Sequence, residues 1–148
     1  MSLRRRLAAV LVLIIGSTIV SGCSQLPFHD DSYKTEIPAA LEAADLGITD
    51  AWAETTLSGF TETLVVGGTI EPTAVVGNEV SPAFVQRVIT VALAHRSLPM
   101  SYLELALSVS RDKFVDVDTA LVSLGASPRG DGSITMADAE KIARGGSR

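Results

Sequence analysis

Few side chains in this sequence have the chemistry of a nucleophile or a general base. Cys23 is the only cysteine, and the two histidines are His29 and His95. A Ser-His-Asp triad would need His95, because His29 falls in a polar linker. His95 lies near the C-terminus of a predicted helix, where an imidazolium complements the helix dipole. The sequence contains no Gly-x-Ser-x-Gly elbow, so we expect His95 to end a helix and to take no part in catalysis.

Ser110 and Lys113 have the Ser-x-x-Lys spacing of the nucleophile motif in penicillin-interacting enzymes. In those enzymes the motif opens a helix, further Ser-Asp-Asn and Lys-Thr-Gly elements accompany it, and the chain is much longer. Here the motif ends a predicted strand, and the sequence contains neither accompanying element. This context favours a turn that carries charged residues.

The acidic residues do not follow a pattern typical of acid–base catalysis. Glycoside hydrolysis needs two carboxyl groups that flank one substrate cleft. Glu54, Glu62 and Glu104 instead fall on exposed faces of predicted strands, where solvated carboxylates are the simpler interpretation. Residues 29–31 (His-Asp-Asp) are adjacent in a polar segment, and adjacent residues rarely converge on one metal ion.

Residues 131–135 (Asp-Gly-Ser-Ile-Thr) have the glycine and isoleucine spacing of the second half of an EF-hand loop. In that register Arg129 would occupy a ligand position, where its positive charge opposes calcium binding. A polar turn ahead of a capped helix explains the segment better. We therefore predict no metal site and no cofactor.

The N-terminal residues have the layout of a secretory signal peptide. Arg4, Arg5 and Arg6 are followed by an unbroken apolar run over residues 7–15, which is shorter than the roughly 20 residues of a membrane-spanning helix. Residues 20–23 (Val-Ser-Gly-Cys) resemble the lipobox of bacterial lipoproteins, with valine where leucine is commoner. The resemblance implies cleavage before Cys23 and lipidation of its thiol. The alternative is an ordinary secreted protein in which Cys23 has no such role.

The net charge of the chain argues against two kinds of partner. The whole chain has a formal charge of −5, and loss of residues 1–22 would leave nine basic against seventeen acidic residues, or −8. This balance gives no electrostatic case for nucleic acid, and it provides no polybasic membrane signal. Acyl chains on Cys23 would therefore hold the protein on the extracytoplasmic face of the cell membrane.

The domain organisation follows from composition. Residues 1–22 are the predicted signal peptide, residues 23–36 a lipid-anchored flexible tether, and residues 37–148 a single domain. The tether segment has no apolar periodicity and contains a proline and two adjacent aspartates. A short helix is predicted over residues 38–47, with Pro38 in its first turn.

Periodicity predicts the remaining elements. Residues 48–57 read as a strand, although they could equally extend the helix, and residues 63–70 are a clearer strand. Gly67-Gly68 within it suggests a bulge or a close backbone approach. A loop follows over residues 72–80, then a helix over residues 83–96 capped by Ser81, then a strand over residues 101–110.

Two helices complete the predicted chain, one capped by Asp116 and ending near Gly125, the other capped by Thr135. The order α-β-β-α-β-α-α predicts an α+β fold with a small three-stranded mixed sheet and helices on one face, similar to part of a ferredoxin-like fold. A broader similarity to small actinobacterial lipoproteins is consistent with nine Arg against three Lys.

The expected core and the expected interaction face come from alternation along the strands. The predicted core residues are Leu64, Val66, Ile70, Val85, Ile89, Leu103, Leu105 and Leu107. Tyr102 and Glu104 alternate with this set, so they form a candidate interaction face, and Trp52 is a second aromatic of interest. The leading hypothesis is a non-enzymatic, membrane-anchored envelope module that binds a protein or cell-wall partner. The alternatives are a carrier of a lipid or other hydrophobic ligand, and a small envelope hydrolase.

Overall fold

Four helices and seven strands lie within residues 30–97 and 99–145, the part of the chain that the computed structural model describes. In chain order they are α1 (Tyr33–Ala43), β1 (Ile48–Ser58), β2 (Thr61–Ile70), β3 (Val75–Val76), β4 (Glu79–Val80), α2 (Pro82–Ala94), β5 (Tyr102–Ser110), β6 (Lys113–Phe114), α3 (Asp118–Ser123), β7 (Ile134–Thr135) and α4 (Met136–Ala143). The predicted signal peptide and Cys23 lie outside the described residues. Within those residues, no helix has the length and apolar character needed to cross a membrane.

The main sheet is mixed and has five strands. β1 pairs with β2 in an antiparallel hairpin, and β2 pairs with β5 in parallel after the crossover through α2. The short strands β6 and β7 pair antiparallel with β5 at its two ends. The α+β class is confirmed, but the prediction of three strands is wrong. Two-residue strands are too short for any period to show in the sequence.

The ferredoxin-like interpretation is also wrong. In a split βαβ unit another strand separates the two parallel strands that the helix connects. Here β2 and β5 are direct neighbours, with Leu64 opposite Leu103 and Val66 opposite Leu105.

The first helix begins earlier than predicted. It starts at Tyr33, so residues 33–36 belong to the folded domain and not to a tether. Tyr33, Ile37 and Leu41 follow one another at four-residue spacing, and all three are buried. The Tyr33 hydroxyl lies 3.0 Å from Oγ1 of Thr55 on β1. This packing overrides the disadvantage of Pro38 inside the helix, where a backbone hydrogen bond is lost.

The predicted loop over residues 72–80 contains regular structure. A 3₁₀ turn over Pro72–Ala74 leads into a two-stranded ribbon formed by β3 and β4. Gly77 has a φ of +71° and forms the ribbon turn, a conformation that glycine adopts at little cost. The Asn78 carbonyl accepts a hydrogen bond from the Asp116 amide at 2.8 Å, which ties this ribbon to the segment before α3.

One hydrophobic core lies between one face of the sheet and the four helices. All eight predicted core residues are buried in it, so the strand parity predicted for β2 and β5 is confirmed. Two predicted caps are confirmed as well. The Ser81 hydroxyl oxygen accepts a hydrogen bond from the Phe84 amide at 3.2 Å. The Thr135 hydroxyl oxygen accepts a hydrogen bond from the Asp138 amide at 3.1 Å.

Candidate functional site

The second face of the sheet, which we term the open face, is the side that does not contribute to the main core. The strand register places its residues in three rows across β1, β2 and β5. The rows are Trp52–Gly67–Ala106, Glu54–Val65–Glu104 and Thr56–Thr63–Tyr102. Each strand presents alternate side chains here because successive residues of a strand point to opposite faces.

A bulge in β1 places Trp52 on the open face. Ile48 pairs with Ile70 and lies in the core, so simple alternation would place residue 52 in the core as well. The register shifts between Thr49 and Trp52, and Asp50 adopts a φ of +48°. One extra residue on β1 therefore reverses the face of the sheet to which each following side chain of the strand points.

Trp52 then packs against Gly67 of β2. A Cβ atom added to Gly67 would lie 2.2 Å from Cε2 of the indole, so only glycine permits this contact. A Cβ added to Gly68 would lie 2.7 Å from Cγ2 of Ile48 on the other side of the sheet. The predicted bulge lies in β1 and not at this pair, and the close approach at the two glycines is made by side chains of β1. The indole remains 38% exposed, and a ligand or partner can reach its outer side.

The middle row places two carboxylates on either side of a buried valine. Val65 is only 5% exposed, although it does not belong to the main core cluster. Its register partners are Glu54 on β1 and Glu104 on β5. Burial raises the pKa of the half-buried Glu104 carboxyl, and the negative charges of Asp131 and Glu54 raise it further. The row thus concentrates negative charge on a partly dehydrated surface.

A tight turn before α4 completes the open face. The Asp131 carboxylate accepts hydrogen bonds from the Ser133 hydroxyl at 2.6 Å and from the Ser133 amide at 3.1 Å, and these bonds lower the pKa of Asp131. The turn holds the Arg129 guanidinium 4.3 Å from the centroid of the Tyr102 ring. This is cation–π geometry, so the ring already accepts one cation on one side.

Tyr102 and Glu104, the two residues predicted for an interaction face, do lie together on the open face. Glu54 joins them there. Alternation assigns Glu62 to the opposite side of the sheet, so the three glutamates do not share one cleft. Sequence reasoning missed Arg129, because no local pattern relates the turn before α4 to the first residue of β5.

The other candidate residues lie outside the three rows of the open face. His95 is exposed and follows the last residue of α2, as predicted for a helix end. Ser110 and Lys113 flank the turn between β5 and β6, which fits the predicted charged turn. Over residues 30–97 and 99–145, no group of three or more His, Cys, Asp and Glu side chains could hold a metal ion.

A groove of about 420 Å³ lies on the helical side of the molecule. Ala44, Gln86, Arg87, Thr90 and Val91 line it. The Arg87 side chain crosses from α2 to donate a hydrogen bond to the Ala44 carbonyl at 3.2 Å. Thr90 and Arg87 are exposed, so this groove is an open surface and not an enclosed apolar chamber.

No family model matches the chain, and neither a curated protein nor a solved structure shows similarity to it. The case for a function therefore rests on the side chains of the open face, on the charge of the chain and on the N-terminal residues.

Proposed function

We propose that this protein is a lipid-anchored module of the cell envelope that binds a basic partner through the open face of its sheet, without catalysis. The observation that carries the proposal is the Glu54–Val65–Glu104 row. It combines two carboxylates with a buried apolar residue on a face that the helices leave uncovered.

The electrostatics of this row favour a cation. Glu104 is partly dehydrated and lies in the field of Glu54 and Asp131, which is why its pKa is raised. A lysine or arginine from a partner would relieve that repulsion and form a charge-assisted hydrogen bond. Such complementarity sets specificity and the rate of encounter more than it sets affinity.

The aromatic residues supply contact area around the acidic row. Trp52 is the only tryptophan, and its indole is fixed on Gly67 while part of it stays exposed. Tyr102 lies at the other side of the row, against Arg129. Tryptophan, tyrosine and arginine are the residue types that most often dominate binding energy in protein interfaces.

The anchor gives the module its location. The lipobox-like residues ending at Cys23 support lipidation and placement on the extracytoplasmic face of the membrane. Confinement to that layer raises the effective concentration of the domain, so that a modest affinity suffices. A formal charge of −8 after loss of residues 1–22 also favours a basic partner.

The two alternatives have weaker support. A hydrolase would need a nucleophile and a base that converge on one site, and exposed His95 lies at a helix end, away from the open face. A carrier of a hydrophobic ligand would need an enclosed apolar cavity. The groove beside Arg87 is open, and it does not provide one.

A quantitative pull-down from detergent-solubilised envelope tests the proposal. The full chain would be compared with a variant carrying Tyr102→Ala and Glu104→Gln. A control variant carrying Val76→Ala and Asp112→Asn changes an exposed apolar and an exposed acidic residue elsewhere. We expect at least one basic protein to be lost with the open-face variant and retained with the control. An identical partner list for all three chains would reject this face, and turnover of an envelope substrate that His95→Ala abolishes would reject the non-enzymatic function.

A further inference from the structure

Two large apolar side chains project from the hairpin that joins β1 and β2. Leu57 is 69% exposed, and Phe60 is fully exposed. Gly59 has a φ of +63° and forms the turn between them. Scattered apolar residues on a surface are normal, but a phenylalanine and a leucine on one projecting tip together place apolar area that no other described residue covers.

The described chain begins at the same end of the sheet as this tip. The Asp30 carbonyl accepts a hydrogen bond from the Ser97 hydroxyl at 3.0 Å. Ser97 shortly precedes β5, and the Ser101 amide donates to the Glu62 carbonyl at 3.0 Å. Because β2 and β5 are parallel, both strands start at this end, beside the turn at Phe60.

The length of chain before Asp30 limits where a lipid on Cys23 can be. Asp30 lies seven positions after Cys23, so seven Cα-to-Cα steps join them. At about 3.6 Å per residue they span at most about 25 Å, whatever their conformation. β2 has ten residues and is about 33 Å long. The membrane surface therefore lies within reach of the tip end of the sheet, and an orientation with only the opposite end on the membrane is excluded.

We propose that the tip formed by Leu57 and Phe60 contacts the lipid surface and serves as a second membrane attachment. The proposal rests on lipidation of Cys23, the anchoring part of the proposed function. The strands then point away from the membrane, and the open face stands to one side of the domain, accessible to a partner in the envelope.

The chemistry of the contact is apolar. Asp31 near the tip end is already paired with Lys34 at 2.9 Å, and Glu62 adds a negative charge there, so anionic headgroups gain no net attraction. Phenylalanine and leucine instead gain free energy when they enter the boundary between headgroups and acyl chains. A phosphatidylcholine surface is therefore sufficient, and the contact should be insensitive to salt.

A depth measurement on the full, membrane-purified protein tests this proposal. Acylation occupies the thiol of Cys23, so an introduced cysteine can be labelled selectively with an environment-sensitive fluorophore. Ser58→Cys places the label at the tip and leaves Leu57 and Phe60 in place. Asn78→Cys places it at the ribbon turn after the opposite end of β2, as the matched control. Phosphatidylcholine vesicles would carry a quencher within the acyl region.

We expect the label at position 58 to be quenched several-fold more strongly than the label at position 78. The difference should disappear when Leu57→Ser and Phe60→Ser are added. Equal quenching at both positions on an acylated, vesicle-bound protein would overturn the tip contact alone. Mass spectrometry of Cys23 separates the two proposals, because a protein recovered without acyl groups would overturn the anchoring and, with it, the orientation on which the tip contact depends.

Discussion

The indole of Trp52 lies against the backbone of Gly67, so that a methyl group at position 67 would lie 2.2 Å from Cε2 of the ring. The bulge between Thr49 and Trp52 directs the indole to this side of the sheet. The pair therefore connects a backbone irregularity in β1 to the shape of the open face.

Gly67→Ala should displace the indole and destabilise the protein. Forcing a methyl group into this contact should cost about 1–3 kcal/mol, as overpacking usually does. Trp52 is the only tryptophan, so its fluorescence reports the displacement directly. Gly130→Ala is the control, because a Cβ there meets no atom within 4 Å. An unchanged emission spectrum and midpoint for Gly67→Ala would contradict the contact.

Tyr33 should be required for stability, because it anchors the start of α1. Tyr33→Ala removes a fully buried ring and should cost about 3–5 kcal/mol. Tyr33→Phe keeps the ring and loses only the hydrogen bond with Thr55, at about 1 kcal/mol. Urea unfolding measures both changes. If Tyr33→Ala had no effect, residues 33–36 would be a tether after all.

Glu104→Gln should stabilise the folded protein at neutral pH. The pKa of Glu104 is raised in the folded state, chiefly by burial, so folding favours its protonated form. Its contribution to stability is therefore fully present at low pH, below the ordinary carboxyl pKa, and is lost as the pH rises through the folded-state pKa. Glutamine carries no charge at any pH and avoids this loss.

Thermal unfolding at several pH values tests the prediction. The advantage of the glutamine variant should be clear at pH 7 and should vanish once the medium is acidic enough to protonate Glu104 in the unfolded chain. Asp112→Asn controls for the loss of one negative charge at an exposed turn. A glutamine variant that is less stable than the parent at pH 7 would show that the Glu104 carboxylate is favourably placed in the free protein.

Cys23→Ala should release the protein from the membrane. The basis is the lipobox-like Val20-Ser21-Gly22-Cys23 sequence together with the basic and apolar segments before it. Detergent phase partitioning measures the effect, since a multiply acylated chain enters the detergent phase and an unacylated one does not. Equal partitioning of the variant and the parent would reject lipidation at this residue.

The sequence predicted those parts of the fold that local patterns specify. Leu103, Leu105 and Leu107 alternate with polar residues, which identified β5 and its buried side, and Ser81 identified the start of α2. The start of α1 was missed because Pro38 was assigned to the first turn of the helix, although Tyr33, Ile37 and Leu41 share a four-residue spacing. The contact of Tyr33 with Thr55 on β1 is tertiary, and no local pattern records it.

The candidate site was predictable only in part, for the same reason. Tyr102 and Glu104 follow from alternation along one strand. The inclusion of Trp52 depends on a bulge, and that of Arg129 depends on a turn 27 positions beyond Tyr102 in the chain. Tertiary contacts form the open face, and the periodicity of apolar residues in a single sequence does not specify such contacts.

Site-specific photocross-linking in native membranes tests the central claim most directly. A photoreactive side chain would replace Thr56, which is exposed on the open face, or Thr90, which is exposed on α2 as a control. We predict that position 56 cross-links to a basic protein and position 90 does not. The yield of the cross-linked complex at position 56 should fall when Glu54→Gln and Glu104→Gln are added. It should also fall at 1 M salt, where the electrostatic screening length drops to about 3 Å. The same products from both positions, or a yield at position 56 that the two glutamine substitutions leave unchanged, would contradict binding through the open face.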